Sequence, residues 1–149
     1  MDFASMWSVF YDQMFTYNGY KKVLDGLLAT AEIAVFGLLI GIVIGTVLAI
    51  AKVVPKYHVF PRICSGIAGV YIAIFRGTPM VVQLLIGYFV LMPALGISAQ
   101  PLGVAILIFG LNSGAYVSEI MRSGINSVDR GQLEAGRAVG LSYSVSMFK

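Results

Sequence analysis

The amino-acid sequence predicts an all-α fold, a polytopic transmembrane helical bundle, and three observations carry that reading. Hydrophobic residues make up 58% of the 149-residue chain and charged residues only 11%, too few to cover the surface of a water-soluble domain of this size. From Ile33 to Ala51 run 19 residues without a charge, about what a helix needs to cross roughly 30 Å of hydrocarbon at ~1.5 Å per residue. From Gly77 to Ser118 run 42 more. As one straight helix these would measure about 63 Å, twice the bilayer, so the stretch folds back on itself.

Taken in order, the chain opens with a segment that contains Asp2 and Asp12 and no basic start, unlike a cleavable signal peptide. Phe3, Trp7, Phe10, Tyr11 and Phe15 recur near helical spacing, which predicts an amphipathic helix along the outer membrane interface. Residues 1–25 are therefore read as an interfacial segment and 26–149 as the transmembrane domain. The first span runs roughly from Leu27 to Val54. Within it Gly37, Gly41 and Gly45 repeat every four residues, extended by Thr30, Ala34 and Ala49, a narrow stripe that lets another helix backbone, of this chain or another, come close. Glu32 reads as snorkelling outward, with a substrate contact as the alternative.

The next segment is ambiguous. Ile63 to Phe75 is apolar but only 13 residues long between Pro61, Arg62 and Arg76, short for a crossing. Either it lies in the cytoplasmic interface and enters the membrane at Gly77 to Pro79, or it forms the lower part of one long, Pro-kinked helix. The second span is placed at Thr78 to Leu95 and the third at Leu102 to Met121, with Pro93, Gly96, Ser98 and Pro101 supplying the turn between them.

Orientation follows from the cations. Lys52, Lys56, Arg62 and Arg76 flank the connection after the first span, Arg122, Arg130, Arg137 and Lys149 follow the third, and the turn around Gly96 has none. The positive-inside rule puts both clusters in the cytoplasm and the amino terminus outside, with Lys21 and Lys22 arguing weakly against. The net charge of +3 thus reads as topology. Cations split between loops do not form a nucleic-acid stripe.

Polar groups at membrane depth are expensive unless paired. Gln83 on the second span and Asn112, Ser113, Tyr116 and Ser118 on the third line a polar path or satisfy neighbouring helices. Asn112, Tyr116 and Glu119 share a face by their i, i+4, i+7 spacing, and Glu119 stands with Arg76 near the inner boundary, within reach of an ion pair. Catalysis is not indicated. Cys64 is the single cysteine and His58 the single histidine, no nucleophile has a base nearby, and there is neither a metal cluster nor a phosphate-binding GxxxxGK[ST] loop. No cofactor is expected.

One short polar segment interrupts the oil near the end, "SVDRGQLEAGRAVGLS". Asp129 or Ser127 caps a helix start, and Gly140 ends the helix in the left-handed conformation. Ala135, Gly136, Ala138 and Val139 leave a flat face, with Arg130, Glu134 and Arg137 around it. Gly136 within the helix costs about 1 kcal/mol relative to alanine, which close contact with another surface would explain. An exposed cytoplasmic helix of this shape suggests a soluble partner.

These residues carry a resemblance. "EAGRAVG" resembles the EAA loop of binding-protein-dependent ABC importer permeases, while "FRGTPMVVQL" (75–84) and "SGAYVSEIMRSGINSVDRGQLEA" (113–135) are similar to signatures of the polar amino acid permeases of the histidine, glutamine, arginine and cystine type. The match runs from about Gly26 onward. It implies a type I importer fold, with 127–141 as the cytoplasmic coupling loop and Gly131, Glu134, Ala135, Gly136 and Gly140 as ATPase-coupling residues. Gly136 stands where the family usually has a second alanine. Arg76, Thr78, Pro79, Gln83, Asn112, Tyr116 and Glu119 are the candidates for pathway or gating.

The resemblance also implies alternating access in the bacterial cytoplasmic (inner) membrane. The implied partners are a second permease subunit in a homo- or heterodimer, a periplasmic or lipid-anchored substrate-binding protein, an ABC ATPase subunit that supplies ATP hydrolysis, and a polar amino acid as substrate. Such permeases continue past the coupling loop into a Leu-Pro segment and two more membrane helices, so a chain closing at Lys149 is expected to be truncated or incompletely recorded. Two other classes stand beside this reading: a non-transporting fragment that at most docks to the ATPase, and a secondary carrier or channel subunit.

Overall fold

A computed structural model describes residues 2–55 and 57–148, and every regular element among them is helical. Helix α1 (Phe3–Tyr11) runs into a π-helical turn (Asp12–Thr16). Its aromatic side chains, Phe3, Trp7, Phe10, Tyr11 and Phe15, are all half exposed or more. Asn18, at φ 55°, breaks the path, and α2 (Gly19–Val53) starts directly after it. Helix α2 therefore begins eight residues before Leu27. At about 52 Å it outreaches the hydrocarbon, so that Lys21, Lys22 and Asp25 fall in its amino-terminal end. Its apolar residues are not confined to one face: Leu38, Leu39, Val43 and Val47 are all more than half exposed, as in a helix whose surroundings are lipid.

What α2 does bury is its glycine stripe. Gly37, Gly41, Gly45 and Ala49 are buried, and the surface that covers them is α6 (Pro101–Asn126). A Cβ added at Gly37 would stand 3.2 Å from Phe109 Cβ, at Gly41 2.5 Å from Ser113 Cβ, and at Gly45 2.6 Å from Val117 Cγ1. The fit is reciprocal. A Cβ at Gly110 would meet Ile40 Cγ2 at 2.6 Å, and one at Gly114 would meet Ile44 Cγ2 at 2.7 Å. Residue numbers rise together on both sides, so the helices run parallel and the partner of the stripe lies within this chain. Thr30 and Ala34, expected to extend the stripe, are exposed; the seam begins at Gly37.

The second span differs from the sequence expectation. Helix α3 (Val59–Gly77) is 19 residues long, because Val59 to Arg62 join its first turn and Arg76 and Gly77 its last. Pro61 is tolerated there because a first-turn residue needs no helical N–H donor. The apolar 63–75 stretch is thus part of a helix of about 28 Å, long enough to cross, and not too short as its 13 residues suggested. Thr78 and Pro79 are extended (ψ 145° and 136°). The chain resumes at Met80, not Thr78, as α4 (Met80–Ile86), a π-helical turn (Gly87–Leu91) and α5 (Met92–Ala94). Of the two paths open to this region, the structure takes a helix broken at Thr78 and Pro79. Among the described residues, three helices are long and apolar enough to cross a bilayer, Gly19–Val53, Val59–Gly77 and Pro101–Asn126, with Met80–Ala94 a shorter apolar helix.

The turn between α5 and α6 is as expected. Gly96 adopts φ 67°, Ile97 N–H donates to the Met92 carbonyl at 3.0 Å, and Pro101 opens α6. Met92, Val104 and Ile108 form a small buried cluster, flanked by Leu84 and Tyr88, that holds the α4–α5 arm to α6. Beyond α6 come two short helices, α7 (Arg130–Ala138) and α8 (Tyr143–Phe148).

The seam makes a sharp prediction. Gly41→Ala should destabilise the detergent-solubilised protein by about 1–3 kcal/mol through overpacking. Gly26→Ala, where an added Cβ meets nothing within 4 Å, should be neutral or slightly stabilising. Thermal unfolding of the two variants checks this, and equal effects would contradict the close approach of α2 and α6.

Candidate functional site

Two places gather the sequence's candidate residues: the break between α3 and α4, and the two helices after α6. The break begins with a missing hydrogen. Pro79 has no N–H, so the Phe75 carbonyl four residues earlier loses its helical donor, and an orphan carbonyl at membrane depth costs several kcal/mol. Side chains fill the gap. Gln83 Nε2 donates to the Phe75 carbonyl at 2.9 Å and lies 3.1 Å from the Thr78 carbonyl and 2.8 Å from Thr78 Oγ1. Asn112 Nδ2, from α6, reaches the same Phe75 carbonyl and Gln83 Oε1, both at 3.1 Å. The Thr78 hydroxyl donates to the Ile74 carbonyl at 2.8 Å. One turn below, the Tyr71 hydroxyl donates to the Leu111 carbonyl at 2.7 Å. Thr78, Pro79, Gln83 and Asn112 are thus brought together, as the parts of a hydrogen-bonded joint linking α3, α4 and α6.

On the same face of α6 stands the ionic cluster. Arg76 Nη1 lies 3.4 Å from Glu119 Oε2, and the Arg76 guanidinium sits 5.3 Å from the centre of the Tyr116 ring. Arg122 forks onto the same carboxylate, with Nε and Nη2 at 3.1 and 3.0 Å. Asn112, Tyr116 and Glu119 share a face, as their spacing predicts, and that face is turned towards α3. Two other polar candidates do not line this face. Ser113 packs against Gly41 in the α2 seam, and Ser118 is buried with its hydroxyl donating to the Ala115 carbonyl at 2.8 Å. Glu32 is exposed. Among the described residues no group of His, Cys, Asp and Glu could hold a metal ion.

The hairpin after α6 is capped at its entry and at its turn. The Ser127 hydroxyl donates to the Gly124 carbonyl at 2.7 Å, finishing α6. Of the two candidate caps for α7 it is Asp129 that acts, accepting the Gly131 N–H at 2.8 Å. At the other end Gly140 adopts φ 87°. Gly140 N–H donates to the Arg137 carbonyl and Leu141 N–H to the Gly136 carbonyl, both at 3.0 Å, the paired bonds of a Schellman motif. The flat face predicted for α7 is divided. Gly136 turns towards α8, where its missing Cβ would stand 2.7 Å from Ser146 Oγ, whereas Glu134, Ala135, Ala138 and Val139 remain exposed.

Sequence reasoning missed Tyr71, Gly110, Arg122 and Ser146. Two of these carried a readable signal: Glu119 and Arg122 are spaced i, i+3, and Gly110 and Gly114 repeat the four-residue step of α2. Tyr71 and Ser146 carried none, because each finds its partner through tertiary geometry.

The joint predicts a background-dependent cost. Asn112→Leu should destabilise the protein by about 1–3 kcal/mol by leaving Gln83 Oε1 without its donor and the Phe75 carbonyl with Gln83 Nε2 alone. It should cost less in a Pro79→Ala background, where Phe75 regains a backbone donor. Thermal unfolding of the four variants reads this coupling, and identical costs in both backgrounds would contradict it.

Comparison with known proteins places these features in a family. Residues 37–149 match the model of the binding-protein-dependent transport system inner membrane component. The chain is 42% identical, over 84% of its length and 55% of the relative's, to the arginine transport system permease protein ArtQ of Bacillus subtilis. It is 41% identical to the putative glutamine transport system permease protein GlnP of Rickettsia prowazekii, over 86% of the chain and 58% of that protein. It is 36% identical to the L-cystine transport system permease protein TcyB of Bacillus subtilis, over 83% and 50%. The chain thus spans little more than half the length of these relatives. A crystal structure of an amino acid ABC transporter with histidines superposes with a TM-score of 0.75 at 32% identity, over 99% of this chain and 62% of that one. The chain belongs to the binding-protein-dependent transport system inner membrane component family, a family of multi-pass membrane permeases.

Proposed function

We propose that the chain serves as the membrane permease subunit of an ATP-driven importer of a polar amino acid, forming part of the translocation pathway and coupling to a separate ATPase. The observation that carries this reading is the α7–α8 hairpin. It is a capped, polar two-helix element that follows a membrane-spanning helix and presents Glu134 and Ala135 to solvent. A permease that only housed a passive path would have no use for such an element. The names of the relatives, which include arginine, glutamine and L-cystine permeases, support a polar amino acid as the substrate class.

In this reading the hairpin faces the cytoplasm, the amino terminus lies outside, and residues 1–25 rest in the outer interface. A periplasmic or lipid-anchored binding protein delivers substrate, a second permease subunit completes the pore, and ATPase closure pulls on α7. Residues 127–129 provide the stiff link that this mechanism requires: the Ser127 side chain closes α6 and the Asp129 side chain opens α7. The α3–α4 joint and the Arg76–Glu119 pair sit where α3 meets α6, and relative movement of these helices would open or close the path between them.

Co-purification with the cognate ATPase subunit tests the proposal. The unaltered chain should retain the ATPase. Glu134→Lys, which reverses the charge offered, and Gly140→Val, which places a β-branched residue at φ 87°, should each lower retention about tenfold or more, equivalent to ~1.4 kcal/mol, at unchanged membrane levels. Undiminished retention by both variants would contradict docking through α7.

A further inference from the structure

Helix α7 packs chiefly on α8, and the pair joins α6 through residues 127–129. Whatever stiffness this element has must therefore arise inside it. Three contacts converge on one backbone position. The Gly136 carbonyl accepts the Leu141 N–H that closes the turn. Leu141 Cδ1 lies 3.8 Å from where a Gly136 Cβ would be, and Ser146 fills the rest of that space, with Oγ at 2.7 Å and Cβ at 3.1 Å. The Ser146 hydroxyl is shielded from solvent and has no hydrogen-bond partner among the described residues. A shielded, unpaired hydroxyl is unfavourable in itself, so shape and not hydrogen bonding holds Ser146 there.

We infer that Gly136 and Ser146 are a matched positioning pair that sets the angle between α7 and α8, and with it the pose in which Glu134 and Ala135 meet a partner. The inference rests on the ATPase-docking reading for its functional half and on geometry alone for its structural half. The physical reason is direct. Rotating the serine hydroxyl away would relieve the contact at Oγ, but Ser146 Cβ is fixed to the α8 backbone, so a methyl group at position 136 requires α8 itself to give by a few tenths of an ångström. Leu141 Cδ1 bounds the same space at ordinary van der Waals distance and need not move. Glycine at 136 is therefore more than tolerated within the helix: it is the clearance that lets the two helices close.

The experiment uses the full chain in membranes with Cys64→Ala as background and has two readouts. The first is maleimide labelling of Ser146→Cys. The thiol should be protected when position 136 is native and labelled about tenfold faster when Gly136→Ala is added, a change worth ~1.4 kcal/mol; equal rates would overturn the pair. The second is retention of the ATPase subunit by Gly136→Ala, Ser146→Gly and the double variant. Gly136→Ala should lower retention about tenfold, Ser146→Gly alone should lower it by less, and Ser146→Gly should raise it again in the Gly136→Ala background, the non-additivity expected of residues in contact. Retention unaffected by Gly136→Ala, or lost without rescue, would overturn the positioning role. If the native chain retains no ATPase, the docking reading fails together with the functional half, and the labelling rates still decide the structural half.

Discussion

The close parallel contact of α2 and α6 is the constraint on which the other features depend. Inside a bilayer, lipid is as apolar as leucine, so burial alone does not favour one helix pair over its separated state. What remains is dispersion, small for each atom pair and appreciable only when many atoms touch. Glycines at 37, 41 and 45 on one helix and at 110 and 114 on the other remove the side chains that would hold the backbones apart, and Ile40 and Ile44 fill the grooves that result. The same register sets the angular position of α6. With Ser113 and Val117 against α2, Asn112, Tyr116 and Glu119 point towards α3.

That orientation makes a broken helix affordable in an apolar medium. Pro79 interrupts the α3–α4 ladder, and the carbonyls it leaves are bonded by Gln83 from the helix that follows and by Asn112 from the helix alongside. The groups that satisfy the break are also the groups that tie it to α6. About two turns further along α6, Glu119 has a guanidinium partner on its own helix, Arg122, as well as one on α3, Arg76. The junction of α3 with α6 is thus a defined joint with paired polar groups. Past the end of α6 the same principle recurs at smaller scale in the hairpin, where side-chain caps and a glycine turn close two helices too short to persist alone.

Much of this was legible in the residues themselves. Length without charge marked α2 and α6, Pro93 and Gly96 marked the turn before α6, and the spacing of Gly37, Gly41 and Gly45 marked a packing face, because each reflects a local rule of helices in lipid. The extent of α3 was not legible. Arg62 and Arg76 looked like boundaries, yet both lie within the helix, since long cationic side chains reach outward while their backbones stay helical. Nor could periodicity separate recognition from internal satisfaction at Gln83 and Asn112. Their partner is a backbone carbonyl freed by a proline, which becomes visible only when three helices are placed together. The division of the α7 face was hidden for the same reason, as Gly136 meets Ser146 only after the turn at Gly140 has formed.

Disulfide cross-linking in native membranes addresses the α2–α6 register most directly, using a chain with Cys64→Ser as background. A Cβ at Gly37 stands 3.2 Å from Phe109 Cβ, near the ~3.5–4.5 Å that a disulfide requires. Two helical turns further along α6, Val117 lies about 12 Å away at ~1.5 Å per residue. The Gly37→Cys, Phe109→Cys pair should oxidise readily within one chain, while the Gly37→Cys, Val117→Cys pair should not. Cross-linking of the second pair in preference to the first, or of neither, would contradict the parallel glycine seam and the placement of every polar group that follows from it.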